Sequence, residues 1–110
     1  MASFESIRAM ALALPEAAEL DHHGFPSARV RGKIICTYRN DPPRLMVKLD
    51  PEDQANFCTG HPDLVSPVAG YWGRKGATYV DYPRADDALL ATLLRLAWSN
   101  VAPKSLLAKT

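Results

Sequence analysis

The chain has 110 residues, of which 47% are hydrophobic and 23% charged, with a formal net charge of +1. Those values suit one folded globular domain over residues 1–110 and exclude disorder, a collagen-like repeat and a disulfide-built miniprotein. A pI near 7.8 excludes binding to nucleic acid by bulk charge, for which a domain pI above about 9 is usual, and leaves only local charge to carry such a role.

At the N-terminus, Arg8 precedes the apolar run Ala9-Met10-Ala11-Leu12-Ala13-Leu14, which stops at Pro15 and is flanked by Glu5 and Glu16. A secretory signal needs about 7–15 apolar residues after a positive segment, so no signal is expected and the cytoplasm is the expected compartment. The same residues read better as a helix. Ser3 can cap it, and Phe4, Ile7, Ala11 and Leu14 repeat at the spacing of one buried face. Pro15 ends it, because the residue before a proline avoids the α region.

Residues 16–26, with Gly24 and Pro26, read as turn-rich. Strand character follows. Ala28-Arg29-Val30-Arg31 alternates apolar and charged residues, which gives a strand with one wet face shared by Arg29 and Arg31. Gly32-Lys33 marks a tight turn. In the next strand Ile34, Cys36 and Tyr38 share one face, and Lys33, Ile35, Thr37 and Arg39 the other. Asn40-Asp41-Pro42-Pro43 turns the chain, and Leu45, Val47 and Leu49 then alternate with Arg44, Met46 and Lys48. The whole reads as an antiparallel meander.

Asp50-Pro51-Glu52-Asp53 is a strong helix start, with a capping acid, proline at the first position and two acids at the positive end of the macrodipole. That helix is expected to end near Thr59-Gly60. Residues 61–70 read as an irregular connection, Tyr71-Trp72-Gly73-Arg74-Lys75-Gly76 as a hairpin tip, and residues 77–82 as its returning strand. Asp86 and Asp87 open a last helix whose Leu89, Leu90, Leu93, Leu94, Ala97, Trp98 and Val101 form one apolar stripe. Pro103 stops it, and Ser105-Leu106-Leu107 adds a final turn. The expected fold is α+β, a two-layer sandwich of an antiparallel meander with helices packed on one face.

Several segments together resemble the MmcQ/YjbR-like family across nearly the whole chain. They are Leu14-Pro15, Gly32-Lys33-Ile34, Val47-Lys48-Leu49-Asp50-Pro51-Glu52, Trp72-Gly73-Arg74, Ala97-Trp98 and Ala102-Pro103-Lys104. The resemblance implies a frataxin-like (CyaY-like) fold and DNA binding through two hairpin wings. Many relatives carry tryptophan at the start of the strand after the tip, where this sequence has Ala77, so no ring contact is carried over there.

The residues themselves offer little catalytic or metal chemistry. His22 and His23 are adjacent and would point apart on an extended chain, His61 is remote, and no HxxE, HExxH or CxxC spacing occurs. Glu5, Glu16, Glu19 and Asp21 are too few for an oxygen-rich iron ridge. Neither a metal nor a cofactor is expected. There is no GxSxG or P-loop, and Cys36 and Cys58 read as free, inert thiols. No enzymatic activity is expected. Trp98, Phe4 and Phe57 read as core. Tyr71 and Trp72 either fold back over the core, the reading favoured here, or form a stacking surface.

Charge remains. Arg29, Arg31, Lys33, Arg39, Arg44 and Lys48 face only Asp41 between residues 27 and 48, and Arg74 and Lys75 add to them at the second tip. The plain reading is a solvated sheet face kept soluble by its bases. The functional reading is a surface tracking DNA phosphates, with Trp72 beside it and with Arg95 and Lys109 outside it. A small anionic ligand or a protein partner is the alternative, and the chain is expected to be a monomer that does not engage a membrane.

Overall fold

A computed structural model describes residues 2–107. Helix α1 (Phe4–Leu12) leads into β1 (Ala17–His22), β2 (Phe25–Val30), β3 (Lys33–Asn40) and β4 (Pro43–Lys48). Helix α2 (Pro51–Gly60), β5 (Val65–Pro67), the single turn α3 (Tyr71–Arg74) and β6 (Ala77–Val80) follow. A 3-10 turn (Tyr82–Arg84), α4 (Asp87–Val101) and the short α5 (Lys104–Leu107) complete the order. The strands form one open antiparallel sheet in the order β1-β2-β3-β4-β6-β5. Helices α1 and α4 pack on β3 and on each other, α4 reaching β4 as well. The α+β architecture read from the sequence is therefore present.

Local chemistry explains the boundaries. Ser3 caps α1 through a reciprocal box with Ser6, and Asp50 and Asp86 accept from the backbone N–H groups of Asp53 and Leu89, the third residues of α2 and α4. The α4 stripe delivers Leu90, Leu93, Leu94, Ala97 and Trp98 to the core, where they meet Ile7, Ala11, Val30, Tyr38, Leu45 and Val47. Burying that many side chains, at about 1.5–3 kcal/mol each for the large ones, is what drives the layers together. The Trp98 indole N–H donates to the Pro15 carbonyl at 2.9 Å, fastening α4 to the exit of α1. Phe4 and Phe57 pack at the margin of the core, partly buried.

The structure corrects four readings. Residues 17–22 are a strand, paired along its whole length with β2, where the sequence reads as turns. Ala, Glu and Asp are poor strand formers, and this edge strand is specified by its neighbour, through the His23-Gly24 turn with φ of 53° and 88°. Residues 65–67 are likewise a short edge strand beside β6. The segment at 71–74 is a helical turn, not a hairpin tip. Lastly, the register slips between Ala28 and Arg29, pairing Arg29 with Ile34 and leaving Ile35 unmatched. That bulge turns Ile35 into the core beside Cys36 and Tyr38 and leaves Ile34 on the open side.

Candidate functional site

Because side chains alternate across a strand, sending Leu45, Val47, Thr78 and Val80 inward puts Arg44, Met46, Lys48 and Tyr79 on the opposite face. Thr37 and Arg39 of β3 join them. This face carries a cleft of about 400 Å³, lined by His22, His23, Phe25, Ile34, Thr37, Arg39, Arg44, Met46, Lys48, Val68, Trp72, Ala77 and Tyr79. A second cleft of about 490 Å³ adjoins it, lined by Arg29, Gly32, Lys33, Ile34, Lys48, Leu49, Trp72, Lys75, Ala77, Asn100 and Val101. Ile34, Lys48, Trp72 and Ala77 belong to both, so the two form one groove.

The groove is one-signed. Arg29, Lys33, Arg39, Arg44, Lys48 and Lys75 line it, and no aspartate or glutamate does. Four of its six cations rest on rings rather than on carboxylates. The Arg39 guanidinium lies 3.8 Å from the Phe25 ring centroid and that of Arg44 4.3 Å from Tyr79. The Lys48 ammonium is 4.7 Å from Trp72 and that of Lys75 5.5 Å from Tyr71. Such contacts hold a side chain in place at about 0.5–1 kcal/mol when exposed, yet they leave its hydrogen-bond donors free for an anion. The His22 imidazole is lowered from the ordinary histidine value first by burial, and then by the charges of His23, Arg29 and Lys48.

Side-chain donors to backbone carbonyls fix the walls. The Gln54 side-chain amide donates to the carbonyls of Gly73 (2.9 Å) and Ala77 (3.0 Å), tying α2 to α3 and to the start of β6. The Tyr82 hydroxyl donates to the Arg39 carbonyl at 2.7 Å, and the Asn100 amide to that of Lys48 at 2.9 Å. Gly73 is required where it stands, since a Cβ there would lie 1.5 Å from the Val68 carbonyl oxygen.

The family model YjbR matches residues 12–100. The chain belongs to the YjbR family. No curated protein matches it. Among solved structures, the crystal structure of Deinococcus radiodurans protein DR2400, with the family-model domain DUF419, is similar with a TM-score of 0.78. Its sequence is 22% identical, and the likeness covers 96% of this chain and 82% of that chain. At that identity the likeness speaks for the fold alone.

On this YjbR chain the basic residues singled out in the sequence divide. Arg39, Arg44, Lys48 and Trp72 converge on the first cleft, and Arg29, Lys33 and Lys75 extend the line into the second. Arg29 is held in place by the Ser27 hydroxyl and the Asp21 carbonyl, each at 3.2 Å. Arg31 does not share its strand face. It sits in the turn with φ of 52° and pairs with Glu16 at 2.7 Å, outside both clefts. Arg74 also lines neither cleft, and Lys109 lies outside the described residues. Tyr71 and Trp72 do not fold back over the core; they are 55% and 59% exposed. Phe25, Met46 and Tyr79 were missed, although Met46 shares its alternation with Arg44 and Lys48 and could have been found that way.

Other chemistry is sparse. Cys36 is wholly buried, which pushes its thiol up to about 12, and the Cys58 thiol is also raised by burial. Among the described residues no three metal-ligating side chains converge, and no helix is long and apolar enough to cross a membrane.

Proposed function

We propose that this YjbR domain is a non-catalytic binding module for DNA, held through its phosphates along the open face of the sheet. The observation that carries the reading is the unbroken groove with six cations and no carboxylate along its walls. A polyanion gains by releasing condensed counterions at each phosphate it places against a fixed cation. In this reading the phosphate-contacting surface is the sheet face rather than paired hairpin wings. Arg39, Arg44 and Lys48 form its centre, with Arg29, Lys33, Lys75 and Trp72 along it. Arg31 and Arg74 are peripheral. The reading also takes the fold as CyaY-like, on the strength of α1 and α4 packing on one face of an antiparallel sheet, and the protein as a cytoplasmic monomer.

A second reading, a small anionic ligand, is favoured by the first cleft, whose volume of about 400 Å³ falls in the range of small-molecule sites. A titration of labelled oligonucleotide against salt separates the two. Replacing Arg39, Arg44 and Lys48 together by glutamine should flatten the salt slope by about 2, at roughly 0.7 for each single-strand phosphate no longer neutralised. Across a fourfold rise in salt that is about a 16-fold difference in how far affinity falls. Arg31→Gln should change little. Absence of binding at low salt, with tight binding of a mononucleotide, would replace the first reading by the second.

A further inference from the structure

We infer that the first cleft accepts one unstacked nucleobase, so that the groove selects single strands over duplex; the inference rests on the DNA-binding reading above. The two halves of the groove differ in chemistry. The second presents Lys33, Lys48, Lys75, Arg29 and Asn100, which suffice for a phosphate chain, beside the apolar Leu49 and Val101 and the shared Ile34 and Trp72. The first extends the shared Ile34 with Met46 into an apolar floor and adds two guanidinium groups seated on the rings of Phe25 and Tyr79. A phosphate has no use for an apolar floor. A flat heterocycle does, because its faces gain from leaving water against apolar and guanidinium surfaces while its edge takes hydrogen bonds. The Thr37 hydroxyl lines the same cleft and can meet the polar edge of a base, while Arg39 and Arg44, with no carboxylate partner among the described residues, keep their donors for the flanking phosphates. In a duplex those faces are covered by stacking and that edge by pairing, and extruding a base has to be offset by new contacts.

The test uses the full chain and three probes of equal length: oligothymidylate, the same backbone without bases, and a duplex, titrated by anisotropy at low salt. Oligothymidylate should bind about tenfold or more tighter than the abasic strand, the worth of one stacked base, and tighter than the duplex. Emission of the exposed Trp72 should change with oligothymidylate more than with the abasic strand. Met46→Ala, which removes part of the apolar floor without altering charge or adding a ring, should narrow the gap between oligothymidylate and the abasic strand. The comparison among probes on the unaltered protein stands even if that variant does not fold. Equal affinity for all three probes would overturn the base-accepting cleft while leaving the phosphate groove intact. No binding of any probe would overturn both.

Discussion

The two tryptophans of this chain should respond to truncation in opposite ways. Trp98 is fully buried, its N–H donates to the Pro15 carbonyl, and its ring lies under Arg95 at 4.7 Å. Trp98→Ala removes a large core side chain and leaves a cavity, at a cost of about 3–5 kcal/mol. Total stability for a domain is about 5–15 kcal/mol, so the loss is a large share of it, and the melting temperature should fall by roughly 12–30 °C. Trp98→Phe keeps part of the volume but strands the Pro15 carbonyl, for about 1–3 kcal/mol. Trp72 is 59% exposed and touches Lys48 and Tyr71. Trp72→Ala should therefore cost no more than about 1 kcal/mol. Urea and thermal denaturation followed by far-UV circular dichroism measure all three. A Trp98→Ala protein within about 1 kcal/mol of the parent, or a Trp72→Ala protein as unstable as Trp98→Ala, would refute the assignment of one ring to the core and the other to the groove.

Other consequences follow from single contacts. Gly73→Ala should destabilise by about 1–3 kcal/mol through overpacking and shift the indole resonance of Trp72, because the Val68 carbonyl must move; a parent-like spectrum and melting curve would count against the α3 geometry. In the native protein a thiol reagent should modify Cys58 slowly and leave Cys36, whose thiol is pushed up to about 12, until denaturant is added; rapid double labelling would contradict that. Glu19 is held below the usual carboxylate range first by its hydrogen bond from Arg8 and then by that from the Tyr38 hydroxyl. Its folded pKa is depressed, so its contribution is present above the unfolded value of about 4.3 and is lost as pH falls through the folded value. Glu19→Gln should flatten the acid side of a melting-temperature profile; an unchanged slope would count against the Arg8–Glu19–Tyr38 link.

Much of the fold was legible because its elements carry their own periodicity. The stripe from Leu89 to Val101 needs no partner to be seen, and Asp50-Pro51 and Asp86-Asp87 mark helix starts by local hydrogen bonding. The missed elements are those specified from outside. Residues 17–22 become a strand because β2 offers a complete ladder. Tyr71–Arg74 coil because Gly73 lets the backbone approach Val68. The bulge at Ile34–Ile35 is a register event between two strands, invisible to alternation within one. The site divides in the same way. Its cations were legible as a list, since charge is a local property. Which of them converge was not, because Arg31 is drawn off by Glu16, fifteen residues earlier in the chain, and because the rings beneath Arg39 and Arg44 come from β2 and β6.

The central claim is that the open sheet face is where the protein takes its ligand, and a heteronuclear NMR titration of the full chain with oligothymidylate maps this residue by residue. The expected result is a contiguous set of shifts at Phe25, Thr37, Arg39, Arg44, Met46, Lys48 and Tyr79, with the Trp72 indole moving and the surface of α1 silent. Shifts gathered instead on α1, on the Arg31–Glu16 turn or on the outer face of α4 would contradict it.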